Sequence, residues 1–279
     1  MKLQYLGTAA AEGIPGIFCE CEVCKQAIKL GGREIRTRSQ AIIDDKILID
    51  FSADTYHHVL TQGLRLQKIH TLLITHAHED HFYPADLEMA NQNLAYFDEE
   101  PYQLTVYGSA CIGAHLQEKV LRVMNKEQPR IVYQEIHSLE PFEAEGYTVL
   151  PFRARHDPNA GPLCYIISHE GKTLLYGHDT GYYFDEVWAY MKEHHIHLDY
   201  ASLDCTEACN HINYDAHGSL ERDITIRDRL IDEGIADEKT VFCLNHFSHN
   251  GKNVLYKDFS EIAAKEGFIV SYDGMSVEI

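Results

Sequence analysis

Three histidines, a glutamate and an aspartate crowd the stretch Thr75-His76-Ala77-His78-Glu79-Asp80-His81. Imidazole and carboxylate together suit Zn, Mn or Fe rather than Ca. The stretch follows Lys68-Ile69-His70-Thr71-Leu72-Leu73-Ile74, whose apolar, β-branched end reads as a buried strand. Side chains two apart on an extended chain share a face, so His76 and His78 can point together as the strand ends. Asp80 and His81 come next, where a turn swings them onto a second centre. The chemistry on offer is hydrolysis assisted by two metal ions. The bland alternative is a polar strand-to-helix loop, which this density of ligand types after an apolar strand disfavours.

Four more ligand-type residues recur at strand ends. Asp50 closes Ile47-Leu48-Ile49, and His156 follows the strand that ends at Phe152. Asp179 follows Leu174-Leu175-Tyr176, and His246 follows Val241-Phe242-Cys243-Leu244. α/β sites are assembled just past the C-terminal ends of strands. Singly, each of these residues is an ordinary cap or turn residue; jointly with the histidine stretch they form a set. A separate group, Cys19-x-Cys21-x-x-Cys24, offers three thiolates within six residues. Three sulfurs need one more ligand to close a tetrahedral zinc, the other reading being reduced, buried cysteines.

The elements that must position these residues follow from periodicity. Strands are expected over 2–6, 39–43, 46–50, 68–74, 103–107, 129–133, 147–152, 163–167, 172–176, 198–203, 240–244 and 267–270. Helices are expected over 22–30, 53–61, 84–90, 110–123, 184–194, 219–231 and 259–265, with Ser219 as an N-cap. No repeat, low-complexity tract or linker interrupts them, so residues 1–279 read as one α/β domain of two mixed sheets with helices outside.

Composition narrows the class. Lys+Arg minus Asp+Glu is 24 − 43 = −19 over 279 residues. That field opposes nucleic acid and anionic membrane, whose binding rests on Lys/Arg contacts with phosphate. Met1 leads straight into a strand with no apolar signal core, and no apolar run approaches membrane-spanning length. A cytoplasmic protein with reduced thiols is the expectation. In that compartment the clustered cysteines among the eight favour metal over disulfide.

The ordered set Asp50; His76-x-His78-x-Asp80-His81; His156; Asp179; His246 resembles the metallo-β-lactamase superfamily across the whole chain. The resemblance implies an αββα four-layer sandwich with a dinuclear centre at one edge of the two sheets. It assigns His76, His78 and His156 to one metal and Asp80, His81 and His246 to the other. Asp179 bridges them, and Asp50 orients the ligand loop. The cysteine cluster is similar to that of the PhnP-type phosphodiesterases of the carbon–phosphorus lyase pathway. There, by resemblance, His249 completes a structural Cys3His zinc with Cys19, Cys21 and Cys24. His217 sits where those enzymes place a further active-site histidine. The chain departs from them at Phe51-Ser52 after Asp50 and at the additional His178 before Asp179.

The implied cofactors are two catalytic divalent ions, Mn or Zn, and one structural Zn. The implied reaction is opening of a cyclic phosphate of a small phosphorylated sugar. His217 is the candidate general acid, its other role being to cap the helix at Ser219, and Asp80 acts in catalysis as well as binding metal. Arg153 and Arg155 are candidates for a second substrate phosphate, although arginines at strand ends are ordinarily solvated. The expected partner is a small-molecule phosphodiester, not nucleic acid or membrane, and a homodimer stays open. Rival readings are a tRNA 3′-end endonuclease, an ester, thioester or lactone hydrolase, and a non-catalytic metal or redox sensor. His57-His58 and His194-His195-His197 are expected on solvated surfaces.

Overall fold

The computed structural model describes residues 1–98 and 100–279. Its strands are β1 (Lys2–Gly7), β2 (Gln40–Ile43), β3 (Ile47–Ile49), β4 (Thr71–Leu73), β5 (Leu104–Gly108), β6 (Ile131–Glu135) and β7 (Phe142–Ala144). They continue with β8 (Tyr147–Arg153), β9 (Leu163–His169), β10 (Lys172–Gly177), β11 (Tyr200–Asp204), β12 (Val241–Asn245), β13 (Ile269–Val270) and β14 (Ser276–Glu278). The α-helices are α1 (Glu22–Leu30), α2 (Thr55–Gln62), α3 (Ala110–Leu116), α4 (Asp185–Glu193), α5 (Leu220–Asp232) and α6 (Tyr256–Lys265).

The strands form two seven-stranded sheets, in the orders β14-β1-β2-β3-β4-β5-β6 and β13-β12-β11-β10-β9-β8-β7. Both are mixed: β3 to β6 run parallel beside antiparallel β1 and β2, and β10 to β13 run parallel beside antiparallel β9. Parallel strands covered on both faces read as unbroken apolar runs, and every residue of β4 and of β11 is buried.

Alternation along these strands splits the core into layers. Ile47, Ile49 and Leu73 point between the sheets and meet Val149, Ile167 and Leu174 of the opposing sheet. Leu48, Leu72 and Val106 point outward under Ile112, Leu116 and Val120. On the far side Leu175, Leu203 and Leu244 lie beneath Trp188, Leu230 and Phe259. Each fully buried Leu, Ile or Val side chain contributes about 1.5–3 kcal/mol. The result is the four-layer αββα sandwich.

Departures from the expected elements are local. Edge strands Phe142–Ala144 and Ser276–Glu278 are too short and charged to show a period. The first is fixed by the Glu145-Gly146 hairpin turn, both residues at positive φ (52° and 82°). The helix expected over 110–123 is α-helical to Leu116 and then widens into a π turn over Gln117–Leu121. Pro84–Ala90 is 3-10 rather than α. His58 is fully buried, against the expectation of a solvated face. Its ring bridges Gln40 Oε1 at 2.5 Å and Thr37 Oγ1 at 2.8 Å. His57, His194, His195 and His197 are exposed. Among the described residues no helix is long and apolar enough to cross a membrane.

Candidate metal centre

The site lies where strand ends from both sheets converge. β3 and β4 are parallel neighbours, and their C-terminal ends deliver Asp50 and the stretch 75–81. β8 and β10 both run antiparallel to β9, while β11 and β12 run parallel to β10. All four therefore point one way, and their ends carry His156, Asp179, Asp204 and His246. Asp50, Asp179 and His246 turn sharply at this edge with φ of 66°, 52° and 66°. Non-glycine residues adopt that left-handed backbone rarely, at turns and at functional sites.

The side chains meet around one oxygen. Asp179 Oδ2 lies 3.1 Å from His76 Nε2, 3.0 Å from His81 Nε2, 3.5 Å from His246 Nε2 and 3.9 Å from His156 Nε2. On one side, His78 Nδ1 sits 3.0 Å from His76 Nε2 and 3.1 Å from His156 Nε2. On the other, His81 Nε2 is 3.1 Å from His246 Nε2 and 3.5 Å from Asp80 Oδ2. The sets His76/His78/His156/Asp179 and Asp80/His81/His246/Asp179 thus each bring their ligand atoms within 4.8 Å of one another.

This donor set fits a pair of divalent cations. Nδ1 of His81 faces Asp50 Oδ2 at 2.6 Å, and Nδ1 of His246 faces Thr206 Oγ1 at 2.8 Å. Burial disfavours charge on His81 and His246, yet Asp50 raises the first and Asp179 the second; the two Nε2 atoms lie 3.1 Å apart, and a shared cation would take the place of the proton on each. Burial, reinforced by the neighbouring His81, pushes His76 down to about 4, and burial likewise lowers His156. Both rings are therefore neutral donors at pH 7, as metal ligation requires.

With this geometry in view, comparison with known proteins is decisive about family. Residues 45–225 match the Beta-lactamase superfamily domain. The chain belongs to the beta-lactamase superfamily. It is 26% identical over 164 residues to an octanoyltransferase of Porphyromonas gingivalis, covering 56% of this chain and 31% of that protein. It is 25% identical over 152 residues to a ribonuclease Z of Listeria innocua, covering 53% of this chain and 44% of that one. The matches thus span less than half the length of those two relatives. Among solved structures, a diphosphatase of the PhnP family superposes with a TM-score of 0.75 at 21% identity, covering 100% of this chain and 96% of that chain. The matched segment of the superfamily domain takes in Asp50, the histidine stretch, His156, Asp179 and His217, and stops before His246.

Around the superfamily's ligand set lies a layer of supporting groups. Asp50 is fully buried and accepts from Thr75 N at 2.8 Å and Thr75 Oγ1 at 2.9 Å, besides facing His81. It fixes both the start of the ligand loop and the tautomer of one ring. Asp204, at the end of β11, does the same for the other sheet and was given no role on sequence grounds. Its Oδ2 accepts from Asp179 N at 2.8 Å and lies 3.3 Å from His246 Nδ1. Its Oδ1 accepts from Thr206 N at 3.1 Å and Gly218 N at 2.7 Å. Burial opposes its ionisation, but His217 and His246 hold its carboxyl well below the usual range. The signal was its position, one more carboxylate past a buried strand. Gly218 approaches so closely that a Cβ there would sit 1.7 Å from the Asp204 carbonyl oxygen.

His217 reaches the centre from the loop before α5. Its Nδ1 is 3.1 Å from Asp179 Oδ1, 3.3 Å from Thr206 Oγ1 and 3.7 Å from Asp204 Oδ2. Burial disfavours its charged form, yet the adjacent carboxylates of Asp179 and Asp204 raise it to about 11. The helix cap is Ser219 itself, whose Oγ accepts from Arg222 N, so the His217 side chain is free of the capping role. His217 and Asp80 line a cavity of about 350 Å³ together with His78, His156, Asp179 and His246.

Cys19, Cys21, Cys24 and His249 also converge within 4.8 Å. His249 Nδ1 is 3.6 Å from Cys19 Sγ and 3.5 Å from Cys21 Sγ. Backbone N–H groups of Gly16, Cys21 and Cys24 point at Cys24, Cys19 and Cys21 sulfurs at 3.3–3.4 Å, a second layer suited to thiolates. The four atoms fit a tetrahedral zinc. Arg153 and Arg155 do not enter the cavity. Arg153 pairs with Glu186, and Arg155 Nη1 with Asp215 Oδ2 at 3.2 Å.

Proposed function

We propose that this chain is a metal-dependent phosphodiesterase, a hydrolase that opens a cyclic phosphate of a small sugar. The observation that carries the reading is Asp179 Oδ2, reached by ring nitrogens of both ligand sets at 3.0–3.9 Å beside an open cavity. Two divalent ions, Mn or Zn, held by those sets would supply Lewis acidity and a water acidified towards pKa ~7. The protein's own groups do the rest. Asp50 and Asp204 hold the imidazole tautomers, so the Nε2 lone pairs face inward. His217, anchored through Nδ1 by two carboxylates, presents Nε2 to protonate the leaving alkoxide. A cavity of about 350 Å³ suits a small diester. Likeness to proteins named ribonuclease Z and diphosphatase supports chemistry at phosphorus.

The ribonuclease Z likeness also favours a second reading, cleavage at tRNA 3′ ends. The net charge of −19 opposes it. Turnover of bis-p-nitrophenyl phosphate against p-nitrophenyl acetate, with a precursor tRNA in parallel, tests the reading. The diester is expected to be hydrolysed and the tRNA left intact; esterase activity alone overturns the proposal.

A further inference from the structure

The part of the cavity lining that holds no metal ligand has its own chemistry. It is formed by Ala10, Ala11, Glu12, Glu207, Tyr214, Ser248 and Asn250, besides Thr206. Among the described residues that line the cavity none is a lysine or an arginine. Both glutamates are held in place. Glu12 Oε1 accepts from Ser248 Oγ at 2.9 Å and Asn250 Nδ2 at 3.2 Å. Both donors reach the same oxygen, so Oε2 keeps its accepting capacity. Glu207 accepts from Tyr214 OH and, at 2.8 Å, from Asn210 Nδ2.

The surrounding arginines are committed elsewhere. Arg38 approaches from outside, donating to the Ala11 carbonyl at 2.9 Å, and pairs with Asp54 at 3.0 Å. Arg155 and Arg222 share Asp215 at 3.2 and 3.3 Å. Lys252 pairs its backbone with Ala208 and Cys209, next to Glu207, but is exposed and does not line the cavity.

Two anchored carboxylates accept hydrogen bonds from hydroxyls, and they repel an anion in the same space. We propose that Glu12 and Glu207 are specificity-determining residues: they select phosphodiesters whose remaining substituent is an uncharged, hydroxyl-bearing group, and they reject substrates that carry a second phosphate. This rests on the phosphodiesterase reading and sharpens it, because the sugar then lacks the additional phosphate for which Arg153 and Arg155 were the candidate holders.

The test compares two substrates that differ at one position, ribose 1,2-cyclic phosphate with a free C5 hydroxyl and the same compound phosphorylated at C5. The metal-replete protein is expected to favour the hydroxyl form in kcat/KM by about 30-fold or more, chiefly through KM, because like-charge juxtaposition is costly. Raising the salt concentration shrinks that ratio, since screening weakens repulsion at a partly exposed wall. Glu12→Gln and Glu207→Gln each narrow the ratio by raising kcat/KM for the phosphorylated form. Preference for the phosphorylated substrate, or a ratio unmoved by both substitutions, overturns the inference and leaves the phosphodiesterase reading standing. Failure to open either compound while bis-p-nitrophenyl phosphate is cleaved overturns the inference together with the cyclic-sugar substrate. Failure on all diesters overturns the phosphodiesterase reading itself.

Discussion

The histidine–aspartate centre and the cysteine cluster are built in opposite ways. The first draws its ligands from ends of strands in both sheets, from His76 to His246, and buries most of them. Its ligands are braced by carboxylates that belong to the sheet edges themselves, Asp50 and Asp204. The second takes three ligands from one short loop and a single distant histidine, and only Cys24 of the four is buried. Its bracing comes from the loop's own N–H groups. One site is a consequence of the fold; the other is a clip that pins the N-terminal loop to the turn after β12. They meet at residues 246–249, which supply a histidine to each.

That contrast can be broken or sharpened in order of effect. Asp179→Ala removes the oxygen common to both ligand sets. We expect turnover to fall by about 10³-fold or more and the His/Asp ions to be lost, while the cysteine-bound ion stays, as metal analysis would show. His217→Ala should cut diester turnover by roughly 10²–10⁴-fold without loss of metal; unchanged turnover removes it as the acid. Asp50→Asn keeps shape but weakens the hold on His81, and about 10–100-fold in metal affinity is expected to go with it.

Cys21→Ser tests the clip. It should release one ion and lower the Tm by roughly 5–10 °C, with the His/Asp ions still bound. Loss of all ions on this substitution would mean that the two regions form one cooperative unit. The smallest effect concerns a histidine outside both sites. Burial, with His57 adding to it, drives His58 down to about 4 despite Asp54. Its folded pKa thus lies below its unfolded value, so its contribution is complete above pH ~6.5 and drains away as pH falls towards 4. Chemical denaturation at pH 7 and 5 should show wild type losing on the order of 1–2 kcal/mol more than His58→Gln.

Much of the centre was legible because its signals are periodic or positional. His76 and His78 obey the two-residue repeat of an extended chain, and Asp50, His156, Asp179 and His246 each follow an apolar run. An α/β chain rich in sheet was legible for the same reason, since its buried parallel strands read as unbroken apolar segments; the four-layer sandwich followed from the family resemblance. Asp204 escaped because a lone carboxylate after Leu203 carries no local partner; its role exists only when β10, β11 and β12 lie side by side. Arg153 and Arg155 were left with two readings for the converse reason. Their positions beside His156 were plain, but Glu186 and Asp215, which occupy them, are remote in sequence. His58 was placed outside because α2 exposes His57 beside it, and the buried Gln40 and Thr37 that receive it come from another segment.

The central claim is two ions sharing Asp179 and a third held by the cysteines. Metal content per chain, measured on the purified protein by mass spectrometry of dissolved ions, tests it most directly. The account predicts about three divalent ions per chain in wild type and about one in Asp179→Ala. A wild-type protein that is active with one ion or none would contradict it.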